Sequence, residues 1–139
     1  MLYTNMLKSL GLHSQPSNPT DMIQLTRSGL PRCSARILQK KLHISTDELA
    51  HLLSVSIRSL QQVDKQSRFN SLVSGQLMSI AKVFARTAEV FESETMAAEW
   101  LKTSCRALGD NKPIELLDTP EGMELVLSVL EAITVGTVA

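Results

Sequence analysis

Side chains that can hydrogen-bond to nucleic-acid bases are concentrated in one short part of the chain, residues 56–68. Arg58 can donate two hydrogen bonds to guanine, and the amides of Gln61 and Gln62 can pair in the same way with adenine. Ser56, at the start of the same stretch, is also expected to reach the base edges. Three further side chains suit phosphate contacts, which position a protein on DNA without specifying sequence: Ser59, Lys65 and Arg68. The side chains of this stretch are therefore suited to recognition of double-stranded DNA.

Two short helices are expected to carry these side chains. Ser45 and Glu48 have the spacing of a capping box, in which the hydroxyl of Ser45 accepts from the amide of Glu48, so a helix begins there. Ser56 can cap a second helix over residues 57–65. Two helices separated by about three residues form a helix-turn-helix, whose second helix lies in the major groove.

One residue in this motif departs from the usual pattern. Ser54 stands in the turn, where glycine normally supplies a positive φ at low cost. The alternative interpretation is a three-helix unit used only for packing, with polar residues outside. The basic charge of this part of the chain favours contact with DNA.

The rest of the chain is predicted to be helical, so the expected fold class is all-α. Apolar residues make up 43% of the chain and aromatic residues 4%, which is typical of helices packed on helices. A basic helix is predicted over residues 32–42, after a stop near Gly29. An apolar stripe predicts a long helix over residues 77–91, and a further helix over residues 93–103 should direct Met96, Trp100 and Leu101 inward.

The last third of the chain ends in another predicted helix. Residues 109–111 predict a turn, residues 113–117 a short helix, and Thr119 caps a longer helix that ends before Gly136. On this helix Leu125 and Val129 lie off the main apolar stripe, so we expect its extra apolar side to face a partner.

The net charge of zero hides two halves of opposite sign. Residues 1–86 hold 11 Lys and Arg against 4 Asp and Glu, whereas residues 87–139 hold 3 against 10. The basic half suits a polyanion and the acidic half would be repelled by it, so the halves are expected to face different partners. We divide the chain into an arm that has the potential to dimerise (residues 1–28, loosely ordered up to residue 20), a helix-turn-helix domain (residues 29–86) and a small helical domain (residues 87–139).

The residue types that act in catalysis do not occur at the spacings that known catalytic motifs require. The sequence has no phosphate-binding glycine loop, no nucleophile beside a base and no zinc-like spacing around His43 or His51. We therefore expect no enzyme activity, no cofactor and no metal. Cys33 and Cys105 are interpreted as reduced, and without a signal peptide or an apolar run of membrane-spanning length the expected location is the cytoplasm.

The motifs that remain, in order "GLP", "STDELAHLLSVSIRSL", "AEVF", "AAEWL" and "ALGDNKPIELLDTPEGMELVLSVLEAITVG", resemble those of the Xre/MbcA/ParS antitoxins. The resemblance covers residues 29–139 and is most specific from Glu99 to Gly136. It implies an Xre-like helix-turn-helix followed by a domain that binds a RES-domain, NAD-consuming toxin. It also implies repression of the antitoxin's own operon. Because the symmetry of a palindromic site matches that of a dimeric protein, we expect a homodimer on the operator.

The same resemblance implies which residues bind the toxin. It also implies that the end of the chain covers the toxin's active site, so that NAD is excluded. The implied toxin-binding residues are Trp100, Leu101, Ala107, Leu108, Gly109, Pro113, Leu116, Leu117, Val135, Gly136, Thr137, Val138 and Ala139. The alternative is a stand-alone dimeric helix-turn-helix regulator whose acidic half only dimerises.

Overall fold

The computed structural model describes residues 2–12, 18–61 and 67–136, which form eight α-helices and two short 3-10 helices. The α-helices are α1 (Leu2–Ser9), α2 (Pro19–Ser28), α3 (Arg32–Leu42), α4 (Thr46–Leu53), α5 (Ile57–Gln61), α6 (Ser71–Phe91), α7 (Glu94–Leu101) and α8 (Pro120–Thr134). The 3-10 helices η1 (Arg106–Leu108) and η2 (Pro113–Leu116) lie between α7 and α8. In these described ranges there is no strand, so the all-α prediction is confirmed.

The long helix α6 is the centre of the hydrophobic core. Its side chains Leu77, Ile80 and Phe84 are fully buried, and the helix packs against α1, α2, α7 and α8. Each buried side chain of this size contributes about 1.5–3 kcal/mol. The charge boundary between residues 86 and 87 falls inside α6, so the basic and acidic halves share one helix and one apolar cluster.

Polar caps define where the helices begin. At six helix starts a side chain accepts a hydrogen bond from the backbone amide three residues later, and each such cap contributes about 1 kcal/mol. The capping residues are Asn18, Ser45, Ser56, Asn70, Ser93 and Thr119. The caps predicted at Ser45 and Thr119 are confirmed.

No helix in the described part of the chain is both long enough and apolar enough to cross a membrane.

The amino-terminal arm is helical over Leu2–Ser9, so the prediction of a loosely ordered arm is wrong there. Helix α1 packs on α6, and Met6, Leu7 and Leu10 are buried within this chain. Pairing of the arm with a second copy was expected to depend on these three side chains together with Met1 and Leu2. A helix of eight residues is marginal alone and forms here because the core covers its apolar face. Residues 13–17 of the expected linker lie outside the described residues.

Two apolar side chains on short helices are exposed, and one of them, Met96, was predicted to be inward. Met96 on α7 is 53% exposed and Ile57 on α5 is 41% exposed, whereas Leu101 is fully buried. Both helices are short, at eight and five residues, so one turn decides which side chains reach the core. The sequence period alone did not distinguish the core side of such short elements.

Candidate functional site

Helices α4 and α5 form the predicted helix-turn-helix, and the turn between them is held by backbone hydrogen bonds. The amide of Ser54 donates to the carbonyl of His51 at 3.2 Å, and the amide of Val55 donates to that of Ala50 at 3.0 Å. Ser54 itself has φ 55° and ψ 42°, the left-handed conformation that glycine adopts more easily. The chain therefore makes the usual turn without the usual residue, at a conformational cost of about 1–2 kcal/mol.

The start of α5 presents three of the residues predicted to contact DNA. The hydroxyl of Ser56 accepts from the amide of Ser59 at 3.1 Å and so caps the helix. Arg58 and Gln61 are exposed and stand three positions apart, which places them on neighbouring parts of the same helix surface. Gln62 and Lys65 lie outside the described residues, so their roles stay predictions.

Ser59 and Arg68, expected to contact phosphate, already make contacts within the chain. The hydroxyl of Ser59 accepts from Nη1 of Arg32 at 2.9 Å. Nη1 of Arg68 donates to the carbonyl of Gly29 at 2.8 Å, although the residue remains exposed. Ser59 is half-buried, and its hydroxyl is already hydrogen-bonded to Arg32. It is therefore a weaker phosphate ligand than the sequence suggested.

Arg32 is a positioning residue that the sequence analysis did not identify. Its Nη1 also donates to the carbonyl of Ser59 at 2.7 Å, and its Nε donates to the hydroxyl of Ser67 at 2.7 Å. Its guanidinium lies 4.9 Å from the centre of the Phe69 ring, within cation–π range. Arg32 thus joins α3 to Ser59 at one position and to Ser67 at another. Contacts between residues 27 and 35 positions apart leave no local signal in a sequence.

A basic surface continues from α5 onto α3. Arg36 and Lys40 are exposed, and both line a hollow of about 290 Å³ together with Thr46 and Gln61. Cationic side chains therefore flank the exposed face of α5, which is the arrangement that neutralisation of DNA phosphates requires.

The residues implied to bind a toxin separate into buried and accessible groups. Four of them, Leu101, Leu108, Pro113 and Leu117, are buried and hold the fold together. Four others are exposed or half-buried and are accessible to a partner: Trp100, Ala107, Gly109 and Leu116. Trp100 also packs against Phe91, with ring centres 5.7 Å apart.

A tight loop displays Ala107 and Gly109. The amide of Cys105 donates to the carbonyl of Asn111, and the amide of Asp110 donates to that of Cys105, both at 3.0 Å. Gly109 and Asp110 have φ values of 68° and 63°, so the chain turns through two consecutive left-handed residues. Side-chain amide Nδ2 of Asn111 closes the loop on the carbonyl of Leu108 at 2.9 Å.

Gly122 sets how closely α8 approaches η2, and the sequence analysis did not identify it. A Cβ atom at this position would lie 1.8 Å from the carbonyl oxygen of Leu116. Only glycine permits this approach. Pro120 at the first turn and the Thr119 cap fix the start of the same helix. These contacts fix the amino-terminal end of α8 against η2.

The far end of α8 is exposed. Val135 is 61% exposed and Gly136 has φ 75°, immediately after the helix ends at Thr134. Thr137, Val138 and Ala139 lie outside the described residues. On the helix, Leu125 is 48% exposed, whereas Val129, predicted to share the partner-facing side, is buried.

Groups that would support metal or redox chemistry are not assembled in the described residues. No set of three His, Cys, Asp or Glu side chains within these ranges could hold a metal ion. Cys33 is exposed, Cys105 is half-buried, and both are free thiols.

Comparison with known proteins finds similarity to one protein family and to solved structures. Residues 86–136 match a family described as the antitoxin Xre/MbcA/ParS C-terminal toxin-binding domain. The fold is similar to that of a chain in the crystal structure of the M. tuberculosis MbcT–MbcA toxin–antitoxin complex, with 19% sequence identity and a TM-score of 0.54. That similarity covers 78% of this chain and 96% of the other. No curated protein matches the sequence.

Proposed function

We infer that this chain is an antitoxin, because residues 86–136 match the Xre/MbcA/ParS toxin-binding domain family. We propose that it neutralises a RES-domain toxin that consumes NAD, and that it represses its own operon through α4 and α5 in the cytoplasm. The observation that carries the proposal is that the family match coincides with a helical scaffold whose last helix is followed by the exposed residues Val135 and Gly136.

The tail, residues 135–139, is proposed to block the toxin's active site. Because α8 is fixed at its start by Thr119, Pro120 and Gly122, it can hold the tail in a defined direction. A tail positioned in this way loses less conformational freedom on binding than a free peptide. NAD would then be excluded by occupancy of its site, without any chemical step by the antitoxin.

The remaining toxin contacts are proposed to come from accessible apolar side chains of the acidic domain. Trp100 and Leu116 are half-buried, and Met96 and Leu125 are exposed. Exposed apolar and aromatic groups on a rigid support are the residues that dominate binding energy at protein interfaces. The buried members of the implied set, such as Leu101 and Leu117, would act indirectly by holding this surface.

Co-expression in cells tests the tail. The partner is the product of the toxin gene adjacent to this one, and the readouts are growth and the cellular NAD level. The intact chain should restore both. A variant in which residues 135–139 are replaced by five serines should restore neither, while its thermal unfolding matches the intact chain because α8 is retained. Equal rescue by both chains would contradict the tail mechanism.

Binding to DNA is supported by the contiguous basic surface of α3 and α5. Arg58 and Gln61 are proposed to read bases, Ser56 to lie at the groove edge, and Arg36 and Lys40 to contact phosphates. We propose that Gln62, Lys65 and Arg68 extend these contacts, and that the protein binds a palindromic operator as a homodimer.

A charge-matched pair of variants tests this surface. Arg58→Ala should weaken binding to operator DNA by about 10- to 100-fold, because a bidentate contact to a base contributes about 1–3 kcal/mol. Arg106→Ala removes the same charge from the exposed surface of the acidic domain and should change the affinity less than about twofold. Equal effects from the two substitutions would indicate a purely electrostatic response to net charge.

The rival function is a stand-alone dimeric regulator. It requires the acidic domain to pair with its own copy instead of with a toxin. Under that function the serine-tail variant would repress the operon normally, and the adjacent gene product would not affect NAD.

A further inference from the structure

A preformed hollow lies where the helix-turn-helix meets the acidic domain. It has a volume of about 270 Å³ and is lined by Asp47, Glu48, His51, Leu52, Ile114 and Glu115. Leu52 and Ile114 are buried and form its apolar floor. Asp47, Glu48 and Glu115 are exposed and carry carboxylates at its rim.

One side chain of α6 forms hydrogen bonds to both walls of the hollow. The side-chain amide Nε2 of Gln76 on α6 donates to the carbonyl of Leu52 at 3.0 Å and to the carbonyl of Leu117 at 2.9 Å. Leu52 belongs to the α4 wall, and Leu117 follows η2 directly. The hollow is therefore shaped before any partner arrives, so a partner does not have to order it.

The charge around the hollow has one sign. Its described lining includes three carboxylates and no Lys or Arg. Nε2 of His51 lies 3.7 Å from Oδ2 of Asp118, which places a fourth carboxylate close to the rim. The negative charge around the hollow would repel DNA phosphates. It would attract a cationic side chain whose methylene groups can pack on the apolar floor.

We propose that the hollow receives an arginine or lysine side chain of the toxin, an inference that rests on the proposed function. The methylene stem would pack on Leu52 and Ile114, and the cationic head would lie among the carboxylates of Asp47, Glu48 and Glu115. Ile114 and Glu115 fall within the segment that matches the toxin-binding family, whereas α4 lies outside it. The toxin interface thus extends onto the first helix of the helix-turn-helix.

Contact with α4 has a consequence for the whole assembly. The same helix positions α5 through the Ser54 turn. A toxin seated in the hollow therefore touches the DNA-binding unit directly, and the hollow gives the two activities a physical connection.

Glu115→Gln is the most informative substitution. Glu115 is exposed, and its backbone hydrogen bond to the carbonyl of Lys112 does not involve the carboxylate. Asp47 and Glu48 are less suitable because both are in the first turn of α4, where negative charge stabilises the helix. The matched control is Glu124→Gln, which removes the same charge from an exposed position on α8 outside the hollow.

The experiment measures the Kd of each full-length chain for the purified adjacent toxin in about 50 and about 300 mM NaCl, together with thermal unfolding and sedimentation velocity. We expect Glu115→Gln to weaken binding about five- to tenfold at low salt and less at high salt, and Glu115→Lys to weaken it further. Glu124→Gln should stay within about twofold of the unsubstituted chain. Unfolding should be unchanged in all three.

The opposite results separate this inference from the proposed function. If the unsubstituted chain binds the toxin and Glu115→Gln binds equally well, the hollow is not a toxin site and the inference is wrong. If Glu115→Gln alters self-association without altering the toxin Kd, the occupant is a second copy and the inference is also wrong. An unsubstituted chain that does not bind the toxin overturns the proposed function and this inference with it.

Discussion

Replacement of Gly122 by alanine tests how α8 is seated on the acidic domain. The added Cβ would lie 1.8 Å from the carbonyl oxygen of Leu116 and 3.0 Å from Oγ1 of Thr119. An ordinary contact at such a position is at least 3.4 Å. Because the nearer atom belongs to the backbone, no side-chain rotation can relieve the clash. Either η2 or the first turn of α8 must move by more than about 1 Å.

The expected magnitude follows from three contributions. Forcing extra carbon into a packed site costs about 1–3 kcal/mol. Disruption of the Thr119 cap adds about 1 kcal/mol, and the better helix propensity of alanine returns at most about 1 kcal/mol. The net loss in the free energy of unfolding should be about 1–3 kcal/mol. For a chain of this size it corresponds to a decrease in Tm of about 4–12 °C.

Gly75→Ala is the matched control, and its sign should be opposite. Gly75 lies inside α6, and a Cβ there would meet only the methyl group of Thr26, at 3.7 Å. The substitution should raise the free energy of unfolding by about 0.5–1 kcal/mol through helix propensity. Urea and thermal unfolding of both variants provide the measurement. If Gly122→Ala is as stable as the unsubstituted chain, or if both variants shift in the same direction, the close seating of α8 is wrong.

Three further changes test other parts of the structure. Arg32→Met should lower stability by about 1–3 kcal/mol, because it leaves the carbonyl of Ser59 without its charged donor, and it should also weaken DNA binding; unchanged DNA affinity would remove its positioning role. Ser54→Gly should raise stability in urea unfolding by about 0.5–1 kcal/mol, since φ is already positive there, and a loss would mean that the serine side chain is needed. Leu125→Ser should change Tm by less than about 3 °C but weaken binding to the toxin, as measured by calorimetry, whereas unaltered affinity would place the toxin elsewhere.

Features encoded by neighbouring residues were predictable from the sequence. The caps at Ser45 and Thr119, the bounds of the basic helix α3 and the apolar stripe of α6 depend on residue types three or four positions apart. They form wherever the local pattern occurs, so periodicity and capping rules were sufficient.

Features that depend on distant contacts were not predictable. Arg32 acquires its role from Ser59 and Ser67, and Gly122 acquires its role from the carbonyl of Leu116. Helix α1 exists because α6 covers its apolar side. None of these contacts repeats with a helical period, and no sequence motif predicts them.

The candidate sites divide in the same way. Ser56, Arg58 and Gln61 lie on one accessible surface as the helix-turn-helix pattern predicted. Of the residues implied to bind the toxin, several are core side chains whose effect on binding would be indirect, which only the packed structure distinguishes from contact residues. The roles of Gln62, Lys65 and residues 137–139 stay predictions.

Inhibition of the purified toxin tests the central claim most directly. NAD consumption by the purified product of the adjacent gene, the proposed toxin, is measured with saturating amounts of the intact chain and of the chain whose residues 135–139 are replaced by serines, after calorimetry has shown that both bind. The account predicts that the intact chain stops NAD consumption and that the serine-tail chain binds but leaves the toxin active. Complete inhibition by the bound serine-tail chain would contradict it.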